Sequence, residues 1–213
     1  MLTLQIVQTL LPKNSVASLS NFVTFFNKYA ADYGITTPER IASFVGNNAV
    51  ESLLKPIKEF GNNNYFIKNY WNDSSKAKAL GNKSAQDAID FSGKGFIQLT
   101  GRNNYAAVSQ RLYKDDRLVK NPNLVLTPEV AMLTSMEWWK MNGMNAVSDK
   151  HGIKGVAGKI NTGSALKTSK HLPERIKAYN LIHSELKKKA KYNNPFGNFR
   201  RNFFGNFFKS LSK

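Results

Sequence analysis

Between Phe91 and Tyr105 the sequence FSGKGFIQLTGRNNY sets three glycines beside a polar and apolar alternation. Gly93, Gly95 and Gly101 permit positive φ or a close approach of backbone. Phe96, Gln98 and Thr100 alternate with Ile97 and Leu99, so a short strand would send Gln98 and Thr100 to one face, where both can hydrogen-bond a polar ligand. A glycine-rich hairpin with solvated polar side chains has the same pattern. Phosphate binding is not indicated, because no Gly-Lys-Ser/Thr follows at the right spacing and Lys94 between two glycines is a weak signal alone. The three histidines, His151, His171 and His183, have no ligand spacing among themselves or with carboxylates, so no metal is expected.

Most of the elements around this segment read as helices. Val16, Leu19, Phe22, Val23, Phe26, Tyr29, Ala30 and Tyr33 form an amphipathic stripe that ends near Gly34. Thr37 then caps a second helix, with Pro38 in its first turn and Glu39 at the positive end of its dipole. Ile41, Phe44, Val45 and Asn48 share one face of it, and Glu51 falls on that same face. Pro56 is expected to end or kink this helix, GNNNYF reads as a turn, and residues 62–90 read as polar and loop-prone. Asn104 to Tyr113 reads as helical, Asn121-Pro122-Asn123 as a turn, and Thr127-Pro128-Glu129 as the start of a helix to Met141. Met132, Met136, Trp138 and Trp139 on that helix read as core. A last helix from Pro173 carries Ile176, Tyr179, Ile182, His183 and Leu186.

At 213 residues the chain is long enough for one cored domain and an appendage. It has no cysteine, so packing alone must support it. Net charge is +17, and eight of the 31 basic residues but none of the 14 acidic ones follow Glu185. That favours polyanionic partners such as cell-wall polymers, lipopolysaccharide, anionic membrane or nucleic acid. The opening MLTLQIVQTLLPKN lacks a basic n-region and reads as a first helix rather than a signal peptide, and no run approaches a membrane span.

The Phe91 to Tyr105 segment closely resembles the signature of glycoside hydrolase family 19. In these chitinase-like lytic enzymes, which include many phage endolysins, Gly-Arg-Gly precedes (Phe/Pro/Leu)-Ile-Gln-Leu-Thr-Gly-Arg-x-Asn-Tyr; Lys94 stands for the first arginine here. The resemblance extends over roughly residues 1–185, through MLTLQIVQTLLPKN, YGITTPERIASF, PIKEFG, LGN, LVLTPEVAML, WWKMNGMNAVSD and KINTG. It implies a mainly α, lysozyme-like α+β fold with a small β element over residues 1–186, and no cofactor. It further implies hydrolysis of a β-1,4 amino-sugar backbone, peptidoglycan being preferred to chitin. Such hydrolysis with inversion needs a general acid and a second carboxylate that activates water, about 6.5 to 9.5 Å apart. Glu51 aligns with the family's general acid, and Glu59 with the Glu of a Pro-Ile-x-Glu-Tyr/Phe-Gly pattern as base. On an unbroken helix the two would lie about 12 Å apart, and a break at Pro56 would bring the second back toward the first. Partial burial of Glu51 on an apolar face would keep it protonated near neutral pH. Gln98, Thr100, Asn104 and Asn161 match groups that hold sugar or water, while Arg102 and Tyr105 either join them or buttress the loop. Tyr65 and Trp71 are further candidates for the cleft wall.

The departures cluster around the acid. Val50 replaces the usual histidine, Ala49 a glycine, Asn48 an apolar residue, and Leu53 and Leu54 stand where glycines usually follow. A repacked enzyme and a relative that binds glycan without cutting it both fit that pattern; retention of both carboxylates with Gln98, Thr100, Asn104 and Asn161 favours the enzyme.

Residues 187–213 fall outside the resemblance. FGNF occurs twice, and Phe196, Phe199, Phe203, Phe207 and Leu211 would form an apolar stripe on a helix, flanked by Arg200, Arg201 and Lys209. This is the pattern of a cationic interfacial helix on an anionic bilayer or lipopolysaccharide. Docking of the phenylalanines on the protein itself and stacking on nucleic acid are the less favoured readings. The expected protein is a monomer that acts on peptidoglycan glycan strands and is held in the host bacterial cytoplasm until released to the periplasm and wall.

Overall fold

A computed structural model describes residues 1–192 of the chain, without the side chain of Tyr192. The N-terminal part comprises α1 (Leu4–Leu10), α2 (Val16–Tyr29), α3 (Pro38–Ser52), β1 (Ile57–Lys58), α4 (Asn63–Tyr70), α5 (Ser74–Leu80) and α6 (Ala85–Asp90). There follow β2 (Lys94–Gly95), α7 (Arg102–Tyr113), α8 (Arg117–Lys120), a 3-10 turn (Pro122–Leu126), α9 (Pro128–Met141), α10 (Met144–Thr162) and α11 (Leu172–Tyr192). β1 and β2 pair antiparallel, Ile57 with Gly95 and Lys58 with Lys94. The described part is therefore mainly α with one small β element, as the resemblance implies. The proposed tail residues Phe196, Phe199, Arg200, Arg201, Phe203 and Phe207 lie outside the described residues. α11 itself runs through the boundary expected at 186/187.

α3 is the central element. Thr37 caps it by accepting the Arg40 N–H, Pro38 occupies its first turn, and Ile41 through Ala49 are all buried. A helix buried on every side has no solvent face, so its polar side chains look for partners inside: the amides of Asn47 and Asn48 donate to the carbonyls of Ser43 and Phe44, Ser43 Oγ accepts from Ser148 and Asn47 Oδ1 from Arg175, while Asn48 Oδ1 has no partner among the described residues. Its main neighbour is α11. Gly46 makes that approach possible, since a Cβ there would stand 3.0 Å from the backbone N of Tyr179. Phe22, Phe26, Phe44, Phe96 and Trp139 meet in the main core, with Phe44 and Trp139 edge to face at 5.2 Å. Met132 and Met136 lie there too, and Trp138 bridges to a smaller cluster around Tyr105, Val108 and Leu118.

Three sequence expectations require correction. Residues 62–90 are three short helices, each started by its own side-chain cap: Asn62, Asp73 and Ser84 accept the N–H of the residue three positions on. These caps supply the first-turn bonds that their polar sequences do not advertise by hydrophobic periodicity. α3 ends at Ser52, before Pro56, because Leu53 and Leu54 both take left-handed backbone, φ 54° and 56°. Phe96 to Thr100 is not a strand. Gln98 has φ 57°, so the chain folds back and Lys94 and Leu99 pair with each other.

Candidate active site

The turn after β2 is closed by its own polar side chains. The Gln98 carboxamide donates to the carbonyls of Ile57 and Gly95, at 3.1 and 3.0 Å, and so pins this turn to both strands. Thr100 Oγ1 donates to the Gln98 carbonyl at 2.9 Å. Asn104 lies behind, where its amide donates to the Thr100 carbonyl at 2.7 Å; it does not line the cleft. Arg102 forms a two-point ion pair with Asp87, and the Tyr105 hydroxyl, within the core, donates to the Ser92 carbonyl. Both residues therefore support the loop.

Under the turn, Lys94 is 1% exposed, and its ammonium donates to the carbonyl of Asp90. Burial, with the nearby charge of Lys58 adding to it, pushes its pKa down to about 8.

Glu59 follows β1 directly. Its N–H donates to the Gly93 carbonyl at 2.7 Å, and its Oε2 accepts the Gly93 N–H at 3.2 Å. Tyr70, at the end of α4, aims its hydroxyl at both carboxylate oxygens, 2.8 and 2.9 Å away, and Tyr65 reaches Oε1 at 3.3 Å. Three hydrogens are thus offered to a carboxylate with about four lone-pair sites, which leaves about one for water. Burial and the adjoining carboxylate raise the Tyr70 hydroxyl pKa well above its ordinary value; the charge of Glu59 raises that of Tyr65. A Cβ on Gly93 would stand 2.9 Å from Gln98 Oε1, 3.2 Å from Glu59 Oε2 and 3.3 Å from Thr100 Oγ1. The three side chains converge on a residue that has none.

Glu51 is at the last turn of α3. The expectation of an apolar setting is corrected: its Oε1 accepts Arg175 Nη2 at 2.6 Å, and Arg175 is 2% exposed. The same guanidinium donates to Asn47 Oδ1 at 2.8 Å and to the Lys170 carbonyl at 3.2 Å. Asn161, at the end of α10, accepts the Lys170 N–H on its Oδ1 at 2.9 Å. One arginine therefore ties the acid-bearing helix to α11 and to the loop between α10 and α11.

These two groups line one open cleft of about 780 Å³. Glu51, Glu59, Gln98, Thr100, Asn161 and Tyr65 border it; Trp71 does not. Phe60, 100% exposed, stands on its rim. Sequence reasoning missed Arg175, Tyr70 and the part of Gly93. Arg175 is one arginine in an ordinary helix start, Leu-Pro-Glu-Arg, and no local pattern separates it from a surface cation. Among the described residues no group of His, Asp or Glu could hold a metal ion. No described helix is long and apolar enough to cross a membrane.

No protein-family model matches the chain, and no curated protein matches it. Among solved structures, chitinase C from Streptomyces griseus HUT6037 matches with a TM-score of 0.60 and 22% identity, over 85% of this chain and 90% of that one. A mutant of chitinase C matches with the same TM-score and identity, over 86% and 91%. In its fold, the protein is chitinase-like.

Proposed function

We propose that the protein is an endolysin-like glycoside hydrolase that cleaves the β-1,4 amino-sugar backbone of peptidoglycan by direct displacement with inversion. The observation that carries this reading is the placement of Glu51 and Glu59 on one cleft, each held by different donors. Glu51 must first take up a proton on Oε2, the oxygen that Arg175 does not hold, and it then gives that proton to the glycosidic oxygen as the bond from that oxygen to the anomeric carbon breaks. Glu59 takes a proton from the water that bonds to the anomeric carbon from the other face. Arg175 then faces the carboxylate that Glu51 has become, and exchange with solvent restores both groups. Gln98 and Thr100 border the space beside Glu59 where the water must sit. Exposed Phe60 and Tyr65 offer rings to sugar faces.

Chitin is the second reading, supported by the fold shared with chitinase C. In the proposed reading the tail of residues 187–213 carries the enzyme to an anionic envelope surface, supported by its charge and phenylalanine spacing. The host cytoplasm before release and the monomeric state belong to the same proposal. Wild type and Glu51→Gln are incubated with isolated peptidoglycan and the soluble products are identified by mass spectrometry. Disaccharide-peptides with a hydrated reducing end, absent with the variant, are expected. Wall binding without products from either protein would leave a glycan-binding relative. Liposome binding left unchanged by deletion of residues 190–213 would remove the membrane role of the tail.

A further inference from the structure

Three lysines line the cleft: Lys58, Lys76 and Lys170. All are exposed, and none of their ammonium groups is in an ion pair among the described residues. The two acidic residues on the cleft are Glu51 and Glu59, and the first already has Arg175 as its charge partner. The excess charge of the cleft is therefore positive.

The lysines are also positioned. The Lys58 ammonium lies 5.3 Å from the centre of the Phe66 ring, and that of Lys76 lies 4.6 Å from the centre of the Tyr70 ring. Tyr70 is the residue that holds Glu59, so Lys76 sits against the support of one carboxylate. Lys170 has its N–H on Asn161 and its carbonyl on Arg175, so its backbone is fixed by the support of the other. Cations thus accompany both carboxylates. A neutral polymer of N-acetylated sugars gives such cations nothing to neutralise, whereas a polymer with carboxylates on its substituents does.

We propose that Lys58, Lys76 and Lys170 make the cleft selective for amino-sugar strands whose substituents carry free carboxylates. This rests on the reading of the cleft as a glycan site. In peptidoglycan the carboxylates come from the stem peptides or, where these are absent, from the lactyl group. Solvent-exposed charge pairs are individually weak, so three together amount to about a tenfold preference at low salt.

The test uses the full-length protein and the triple variant K58Q/K76Q/K170Q. The substrates are native sacculi and the same sacculi with their carboxylates converted to primary amides. Hydrolysis is followed by release of reducing ends, and binding by co-sedimentation in the Glu51→Gln background. The wild type is expected to favour native over amidated sacculi about tenfold in kcat/KM and to lose most of that preference in 0.5 M salt. The triple variant should lose most of it at low salt. The tail contributes equally to both proteins, so the change in the ratio belongs to the cleft. Strands stripped of peptides retain only the lactyl carboxylate; preference retained on them assigns the contact to that group, and preference lost assigns it to the peptides. Equal treatment of native and amidated sacculi by the wild type, or an unchanged ratio in the triple variant, overturns the proposal. A variant impaired equally on both substrates does so too, since that is a structural effect. If nothing is cut, the hydrolase reading fails, and the binding ratio still decides the role of the lysines.

Discussion

Arg175 and Glu51 are joined by a 2.6 Å ion pair across 124 residues of chain, and the arginine is almost entirely enclosed while the glutamate opens on the cleft. The pair locks the C-terminal end of α3 against the start of α11. It also leaves Glu51 Oε2 without a hydrogen-bond partner among the described residues, on a side chain that lines the cleft.

Replacement of Arg175 by alanine strands the Asn47 side-chain oxygen, the Lys170 carbonyl and the Glu51 charge together. A loss of about 3 kcal/mol in stability is expected, about 6 to 12 °C in Tm for a domain of this size. Arg175→Lys should recover only part, since the donors of a compact ammonium all sit on one nitrogen and do not match the spread, planar donors of the guanidinium. Thermal unfolding of both variants checks this, and an alanine variant as stable as wild type would contradict the description.

Tyr70→Phe removes the hydroxyl that holds both oxygens of Glu59 and leaves the ring packed on Phe66. A fall of about 10- to 100-fold in kcat is expected, with a stability change of about 1 kcal/mol. Glu59→Gln should cost more, about 100- to 10,000-fold. Steady-state kinetics beside thermal unfolding separates loss of orientation from loss of fold.

Gly93→Ala places a methyl among the ends of Gln98, Glu59 and Thr100. These are side-chain rather than backbone atoms and need give by only a few tenths of an ångström, so Tm should fall only modestly. The shift they must make is large enough on a catalytic scale to lower kcat about tenfold or more. An active Gly93→Ala enzyme would show that the reacting water is not held there.

Lys94 gives a pH signature. Its folded pKa of about 8 lies below the ordinary lysine value because burial disfavours the charged form. Between pH 8 and 10 the unfolded chain binds more protons at this site than the folded one, so stability should rise with pH. Above about pH 10 the raised pKa values of Tyr70 and Tyr105 oppose the trend, because the unfolded tyrosines ionise first. Denaturation midpoints measured from pH 7 to 10 should climb for wild type and stay flat for Lys94→Met.

Leu53 is half exposed and has φ 54°, a conformation that strains a residue with a Cβ. Leu53→Gly should therefore stabilise the protein by about 1 kcal/mol. Leu54→Gly, at a buried position with similar φ, should destabilise it, since lost burial of about 2 to 3 kcal/mol exceeds the strain relieved. Chemical denaturation of the two variants compares the terms directly.

Much of the helical framework is legible in the sequence because its signals are local. Thr37-Pro38-Glu39 starts α3, Thr127-Pro128-Glu129 starts α9, and the apolar stripe from Val16 to Tyr29 makes α2. The same kind of signal was available for α4, α5 and α6 in Asn62, Asp73 and Ser84, but their short polar helices lack the periodicity that points to a core face. The alternation of Phe96 to Thr100 misled for a physical reason. Alternation constrains side-chain faces only when the backbone is extended, and Gln98 is held at positive φ by bonds to Ile57 and Gly95. The sequence by itself determined which residue types the site could draw on, and the resemblance singled out Glu51, Glu59, Gln98, Thr100, Asn104 and Asn161. Only the tertiary structure decided that Glu51 faces a buried guanidinium, that Glu59 hangs from Tyr70 and Gly93, and that Asn104 stands behind the cleft. Those relations join residues from 4 to 124 positions apart. Most of them are set by how the helices pack, which no local pattern of residues records.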